Sequence, residues 1–204
     1  MDKPAQNFWE IVKTRRSIRV FEDRPVPKDI IDKLLQTAVL APSAHNAQHW
    51  RFVVITKGED KLRFAERMGI GHRAAMLAGG MSEADVETRA KGREEKISRA
   101  PVIVLLCLDT EDVRNFNDAT RDDGDYLMGV QSVALAGGHL LLAAHAMGLG
   151  AVWICAPLFA PERVREALDL SENWIPQGMI SLGYPAEEPK IKEMKSLKDV
   201  VRFI

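Results

Sequence analysis

One apolar stretch restricts the folds available to this chain more than any other feature. Residues 129–150 are mainly alanine, leucine, valine and methionine, and a bilayer needs a run of about 20 such residues. The stretch also contains Gln131, His139 and His145, and no basic cluster flanks either end. A helix that is apolar on most sides is equally expected at the centre of a soluble domain or at a subunit interface. We therefore expect a buried helix over 125–148 and no membrane span.

Length and charge exclude several classes of protein. The 204 residues include 28 basic and 29 acidic side chains, so net charge gives no reason to expect binding to nucleic acid or to an acidic membrane. The length suits one domain over 1–204. The first seven residues contain no apolar signal region, which predicts a cytoplasmic protein. Cys107 and Cys155 lie in apolar, strand-like runs, which predicts buried thiols in a reducing compartment.

Hydrophobic periodicity and turn residues predict a mixture of helices and short strands. Besides the 125–148 helix, helices are expected over 8–13, 28–40, 59–68, 82–98 and 161–168, and strands over 51–56, 102–108, 151–155 and 177–182. Because these elements do not alternate regularly, we predict an α+β fold in which helices cover a mixed sheet and the long helix lies at its centre.

Two parts of the chain give weaker signals. The glycine- and alanine-rich residues 69–80 have no clear period, so the helix before them is expected to end near 68. Ser82 and Asp85 form a capping-box pattern that opens a charged, solvated helix. We expect 69–100 to be a variable excursion of the domain and 185–204 to be a C-terminal tail.

Three arginines and a serine lie close together after the first helix. Arg15, Arg16, Ser17 and Arg19 fall within five residues. An arginine guanidinium can form a bidentate hydrogen bond with a phosphate, which a lysine ammonium cannot. A solvated turn is the alternative interpretation. Side chains one residue apart point in different directions, so the three arginines need not share one target.

The order of the motifs resembles that of the nitroreductase-like family of FMN oxidoreductases. The chain has Arg-Arg-Ser-x-Arg at 15–19, Pro-Val-Pro at 25–27, and Ala-Pro-Ser-x-x-Asn-x-Gln-x-Trp-x-Phe at 41–52. Residues 145–153 are similar to the helix, Gly-Leu-Gly and strand passage of that family. The 43–50 loop, Trp-Ile-Pro-Gln-Gly at 174–178 and Gly-Tyr-Pro at 183–185 are similar to the flavin domain fused to deazaflavin-coenzyme glutamate ligases.

The resemblance implies a set of FMN-binding residues. The phosphate, ribityl chain and ring would be contacted by Arg15, Arg16, Ser17 and Arg19, and the flavin would be approached, in most family members from the partner subunit, by Pro42, Ser43, Ala44 and Asn46. Backbone N–H groups of Ile154, Cys155 and Ala156 would face the pyrimidine edge, with Cys155 where some members have glutamate. Either Lys192 or Lys195 would supply a late basic residue to the phosphate.

The resemblance also implies an activity. We expect a homodimeric FMN-dependent oxidoreductase that passes hydride from NADH or NADPH to an electron-poor nitroaromatic, quinone or deazaflavin-type acceptor by a ping-pong mechanism. No side chain is expected to act as a dedicated nucleophile. The alternatives are a specialised flavin enzyme that performs flavin cleavage, dehalogenation or reduction of a deazaflavin precursor, and a non-catalytic flavin-binding module.

Four histidines are further candidates for site residues. His45 and His49 are four residues apart but lie in a loop without an acidic or cysteine partner nearby, so no metal site is expected. His139 and His145 lie on the long apolar helix and are expected to bond local backbone or interface partners.

Overall fold

A four-stranded sheet separates two layers of helices. The structure is a computed structural model that describes residues 8–189 and 193–204. The helices are α1 Phe8–Thr14, α2 Lys28–Ala38, α3 Gly58–Ala78, α4 Glu83–Ser98, α5 Ala119–Ala146, α6 Pro161–Leu168 and α7 Leu197–Val200. The strands are β1 Trp50–Ile55, β2 Val102–Asp109, β3 Gly150–Ile154 and β4 Trp174–Gly183. The predicted α+β class is confirmed.

The strand order is β1-β2-β4-β3, and all three neighbouring pairs are antiparallel. β1 and β3 are therefore the edge strands. Within the described residues, the parallel component of the sheet is a single isolated bridge between Ser17 and Ala151. That bridge places the turn over residues 15–19, the arginine-rich turn, beside the start of β3.

β2 explains how one sheet supports two cores. Its side chains are buried along the whole strand, and alternate residues face opposite sides of the sheet. Val104 and Leu106 belong to the core that contains residues of α2 and α5. Ile103 and Leu105 belong to the core that contains residues of α3, α4 and α6. A continuous apolar strand is thus what a two-sided sheet requires.

The long helix α5 packs across the sheet. Asp118 caps its first turn by accepting a hydrogen bond from the Arg121 N–H (3.0 Å), and Gly148 follows its last turn with a φ of +77°. Its buried residues, from Asp125 to Ala144, recur every three or four positions and so form one stripe. Among the described helices, α5 alone is long and apolar enough to span a bilayer. The buried stripe identifies its role here as the core helix of a layered fold.

Several element boundaries differ from those predicted. α5 begins at Ala119, six residues before the predicted start at 125, because Asp118 caps its first turn. α3 continues through the glycine- and alanine-rich segment to Ala78. Its antiparallel packing against α4 stabilises this part of the helix, although the sequence there has no helical period. The Arg73 guanidinium meets the buried carboxylate of Glu94 (Nη2–Oε2 3.1 Å) directly over Gly69, where a side chain would collide with both groups. β4 has ten residues, since it also pairs with the far end of β2 beyond an irregularity in register.

Candidate cofactor-binding site

The arginine-rich turn is fixed to the sheet by its backbone. The Ile18 N–H donates to the Ala151 carbonyl (3.2 Å) next to the Ser17–Ala151 bridge. The Ile18 side chain is buried and lies directly over Gly150, where a Cβ would approach Ile18 Cγ2 to 2.7 Å. Glycine at the start of β3 therefore lets the turn approach closely and holds Arg15 and Arg16 in place.

A cavity of about 890 Å³ opens beside this turn. Its walls are the end of α1 with Arg15 and Arg16, the end of α5 with the start of β3, and residues 184–189. This volume is within the range of small-molecule and cofactor pockets. Two of the predicted FMN-binding residues, Arg15 and Arg16, are thus brought together in a cavity large enough for a ligand.

Arg15 and Arg16, two of the three arginines that line this cavity, have no acidic partner among the described residues. Arg16 Nη1 donates to the carbonyls of Lys13 and Arg15, both at 2.7 Å. Within the described part of the chain, the Arg15 side chain makes no hydrogen bond or ion pair. Both residues are half-buried. Glu10, Glu22, Glu187 and Glu188 also line the cavity, but none of these carboxylates forms a described ion pair with Arg15 or Arg16. Two partly desolvated, unpaired positive charges favour an anionic ligand beside them.

His145 lines the same cavity from the last turn of α5. Its Nε2 lies 2.7 Å from Thr14 Oγ1, and Thr14 Oγ1 in turn lies 2.6 Å from the Glu10 carbonyl. Burial lowers the pKa of His145, and the charges of Arg15 and then Arg16 lower it further. The expectation of local backbone or interface partners was wrong for this residue, because its partner is a side chain 131 positions earlier.

Ser17 and Arg19 occupy a different position from the other members of the arginine cluster. Ser17 is half-buried in the bridge to β3, and its hydroxyl does not line the cavity. The Arg19 side chain is exposed, and its hydrogen bond among the described residues is to the Ser17 carbonyl, at 3.4 Å. The Arg19 and Val20 N–H groups donate to Glu187 Oε1 at 2.7 and 3.3 Å. This contact fixes the start of the C-terminal tail beside the turn.

The loop over 154–156 lies at the other end of β3. Ala151 and Ile154 are three residues apart on an extended strand, or roughly 10 Å. Cys155 is exposed and its Sγ accepts a hydrogen bond from Trp153 Nε1 at 3.0 Å. The prediction of a buried thiol was wrong for Cys155, because the strand ends one residue before it. Cys107 is buried, and burial raises the pKa of its thiol to about 12.

The 42–46 loop is remote from the arginine turn within one chain. It precedes β1, and three strand spacings, or roughly 14 Å, separate the edge strands β1 and β3. The loop is held by hydrogen bonds from the Ala44 N–H to Ser132 Oγ and from the Gln48 N–H to Ser43 Oγ, both 3.1 Å. Pro42 and Asn46 are exposed. None of the four predicted residues of this loop lines the 890 Å³ cavity.

The two candidate tail lysines remain unassigned. Lys192 lies outside the described residues. Lys195 is exposed and is not among the residues that line the cavity. Tyr184, just before the tail, lines the cavity, and its ring centroid lies 3.8 Å from the Arg24 guanidinium carbon. The sequence does not predict this contact, because Arg24 and Tyr184 are 160 residues apart.

Comparisons with known proteins agree with this arrangement of turn, core helix and sheet. The model of the nitroreductase family matches residues 12–184. A protein of Methanothermobacter thermautotrophicus named "Putative NADH dehydrogenase/NAD(P)H nitroreductase" is 34% identical over 189 residues, which are 91% of this chain and 81% of that protein. The chain therefore belongs to the nitroreductase family, a family of oxidoreductases.

Solved structures show the same fold. A BluB-like flavoprotein from Clostridium difficile superposes with a TM-score of 0.82 at 22% identity, covering 98% of this chain and 100% of that one. The NADPH:FMN oxidoreductase from Vibrio harveyi, complexed with NAD+, gives a TM-score of 0.74 at 22% identity, covering 96% of this chain and 72% of that one. The predicted family and fold are confirmed.

Proposed function

We propose that this chain is an FMN-dependent oxidoreductase that takes hydride from NADH or NADPH and passes it to an electron-poor small molecule. The observation that carries the proposal is the pair of half-buried guanidinium groups, Arg15 and Arg16, in an 890 Å³ cavity. A dianionic phosphate monoester is the ligand class that such a pair binds best. The donor set therefore fits the terminal phosphate of FMN.

The chain's own residues would bind and orient this cofactor. Arg15 and Arg16 would hold the phosphate at the start of β3, and the backbone N–H groups of 154–156 would face the ring about 10 Å further along the strand. Hydrogen-bond donors at that place stabilise negative charge on a reduced ring. When bound, FMN would supply the two-electron chemistry. Donor and acceptor would occupy the same exposed face in turn, which is ping-pong turnover.

A homodimer is part of the proposal. The stripe of α5 opposite its buried residues is exposed, with Leu127 at 54% and Leu135 at 48%. The end of the tail is also apolar and exposed, with Phe203 at 94%. A second copy would cover such surfaces, and it would bring its own 42–46 loop to a flavin bound at the arginine turn.

The names of similar proteins support the coarse activity. The M. thermautotrophicus relative is named for NADH dehydrogenase and NAD(P)H nitroreductase activity, and the V. harveyi structure is that of an NADPH:FMN oxidoreductase. These names support a nicotinamide donor and FMN for this chain. The natural acceptor is chosen by the substrate pocket, and nitroaromatics and quinones are the first compounds to test.

Absorption spectroscopy and anaerobic reduction test the proposal. The purified protein should bind FMN with equilibrium quenching of flavin fluorescence, and NADH or NADPH should bleach the bound flavin without oxygen. Addition of a quinone or nitroaromatic should restore the colour. A protein that does not bind FMN refutes the proposal. A protein that binds FMN but is not reduced by either donor is a flavin-binding module or a specialised flavin enzyme instead.

A further inference from the structure

His145 is the one histidine that lines the cavity beside the arginine turn. It lies in the last turn of α5 and reaches Thr14 on α1 at 2.7 Å. The function proposed above does not use it. The imidazole is half-buried, and its position next to Arg15 and Arg16 places a titratable group beside the two arginines that are proposed to bind the phosphate.

The hydrogen bonds of Thr14 determine which nitrogen of His145 can titrate. The Thr14 hydroxyl has a single proton, and the Glu10 carbonyl at 2.6 Å accepts it. The 2.7 Å contact with Nε2 then requires that Nε2–H donates to Thr14 Oγ1. The remaining nitrogen, Nδ1, is the one that can take up a second proton near neutral pH.

Charged groups on every wall of the cavity act on this proton. Arg15 and Arg16 on the turn oppose protonation, as does Arg24 across the cavity. The cavity also contains the carboxylates of Glu10 on α1, Glu22, and Glu187 with Glu188 on the tail, which favour protonation. The C-terminal end of α5 favours the cation as well. A dianionic phosphate would add two negative charges and reverse the effect of the two nearest arginines.

We propose that His145 takes up a proton when this cavity binds a dianionic phosphate monoester and thereby becomes the third cation of the phosphate site. The inference rests on the proposed function, because FMN is the monoester in question. It adds a pH dependence that two permanently charged arginines cannot give. By linkage, binding that takes up a proton becomes tighter as pH falls.

The direction and the pH range follow from the two pKa values involved. In the free protein burial and the arginines hold the pKa of His145 below its ordinary value of 6.5, and the phosphate raises it in the complex. Affinity should therefore increase as pH falls from about 8.5 towards 6.5, by up to about tenfold for each unit by which the pKa rises. Below pH ~6 the phosphate itself loses its second charge, which opposes the trend.

Equilibrium fluorescence titrations of FMN between pH 6 and 8.5 test the inference in the wild type and in His145→Gln. Glutamine can still donate to Thr14 but cannot titrate. We expect FMN to bind the wild type several-fold more tightly at pH 6.5 than at pH 8.5, and His145→Gln to show no increase over that range. His139→Gln, on the same helix but outside the cavity lining, is the matched control and should behave as the wild type. Riboflavin, which lacks the phosphate, should bind independently of pH.

Two outcomes separate this inference from the proposed function. FMN binding that is tight but independent of pH, or equally pH-dependent in His145→Gln, overturns the role of His145 and leaves the proposed function intact. If FMN does not bind, the proposed function fails, and inorganic phosphate still tests the site by NMR titration of the His145 imidazole. A pKa for His145 that does not rise at saturating phosphate also overturns the inference.

Discussion

Arg15→Ala should weaken FMN binding without weakening the fold. Within the described residues the Arg15 side chain makes no hydrogen bond or ion pair, so its removal breaks no described interaction. The neighbouring guanidinium of Arg16 also loses a like charge beside it. The free energy of unfolding without flavin should therefore stay within about 0.5 kcal/mol of the wild-type value, as for surface substitutions in general.

The expected loss of FMN binding free energy in Arg15→Ala also follows from the lack of a described partner for Arg15. Because no described carboxylate neutralises Arg15, its charge-assisted hydrogen bonds are available to the phosphate, and each such bond contributes about 1.5–3 kcal/mol. That range corresponds to an increase of about 10- to 150-fold in the dissociation constant of FMN. Arg15→Lys keeps the charge but loses the planar fork, and should lie between alanine and the wild type.

Quenching of flavin fluorescence at equilibrium measures this effect, and riboflavin isolates the phosphate. Affinity for riboflavin should be nearly the same in Arg15→Ala and in the wild type. Arg99→Ala is a suitable control, since Arg99 follows α4 on the other side of the sheet and forms a surface ion pair with Glu95. Equal losses of FMN and riboflavin affinity would show that Arg15 does not contact the phosphate, and no loss of either would remove it from the site.

Three further substitutions test the assembly and the framework around the site. Leu135→Glu charges the exposed stripe of α5 and should halve the mass measured by light scattering; an unchanged mass would exclude this surface from the dimer interface. Gly137→Val drives a side chain into the Trp153 ring and should cost about 1–3 kcal/mol in urea unfolding; unchanged stability would contradict this close packing. Arg73→Met leaves the buried Glu94 carboxylate without its principal partner and should cost about 3–5 kcal/mol. Replacing Glu94 with leucine as well should recover most of that loss, and a double variant no more stable than Arg73→Met would contradict the desolvation argument.

The fold was predictable where the hydrophobic pattern of a segment is set by its burial. β2 is a continuous apolar run because both of its faces are covered, and α6 begins and ends as predicted at a proline and a leucine. The extension of α3 was not predictable, since the apolar residues among its last ten have no clear helical period and α4 packs against this part of the helix. The ion pair between Arg73 and Glu94 joins residues 21 positions apart, which periodicity within one helix cannot reveal.

The site was predictable in its residue types but not in its contacts. A cluster of arginines next to a serine indicates an anion, and the structure places Arg15 and Arg16 in a cavity. The exposure of Cys155 depends on where β3 ends, and element ends are the least certain part of any sequence-based prediction. The contact between His145 and Thr14 needs α1 to fold back on the end of α5, which only the tertiary arrangement specifies.

The two groups of predicted flavin-binding residues lie at opposite edges of the sheet, and this separation supports the proposed homodimer. The arginine turn is bonded to β3 and the 42–46 loop leads into β1, and these are opposite edges of one hydrogen-bonded sheet. Two strands, β2 and β4, lie between them, and side chains of both are fully buried, so no hinge within the sheet can bring the edges together. If both sets of residues contact the same FMN, as the family resemblance implies, the second chain of the proposed homodimer would supply the loop. The exposed stripe of α5 lies on the helix that also bonds the loop through Ser132, which makes it the natural surface for that second chain.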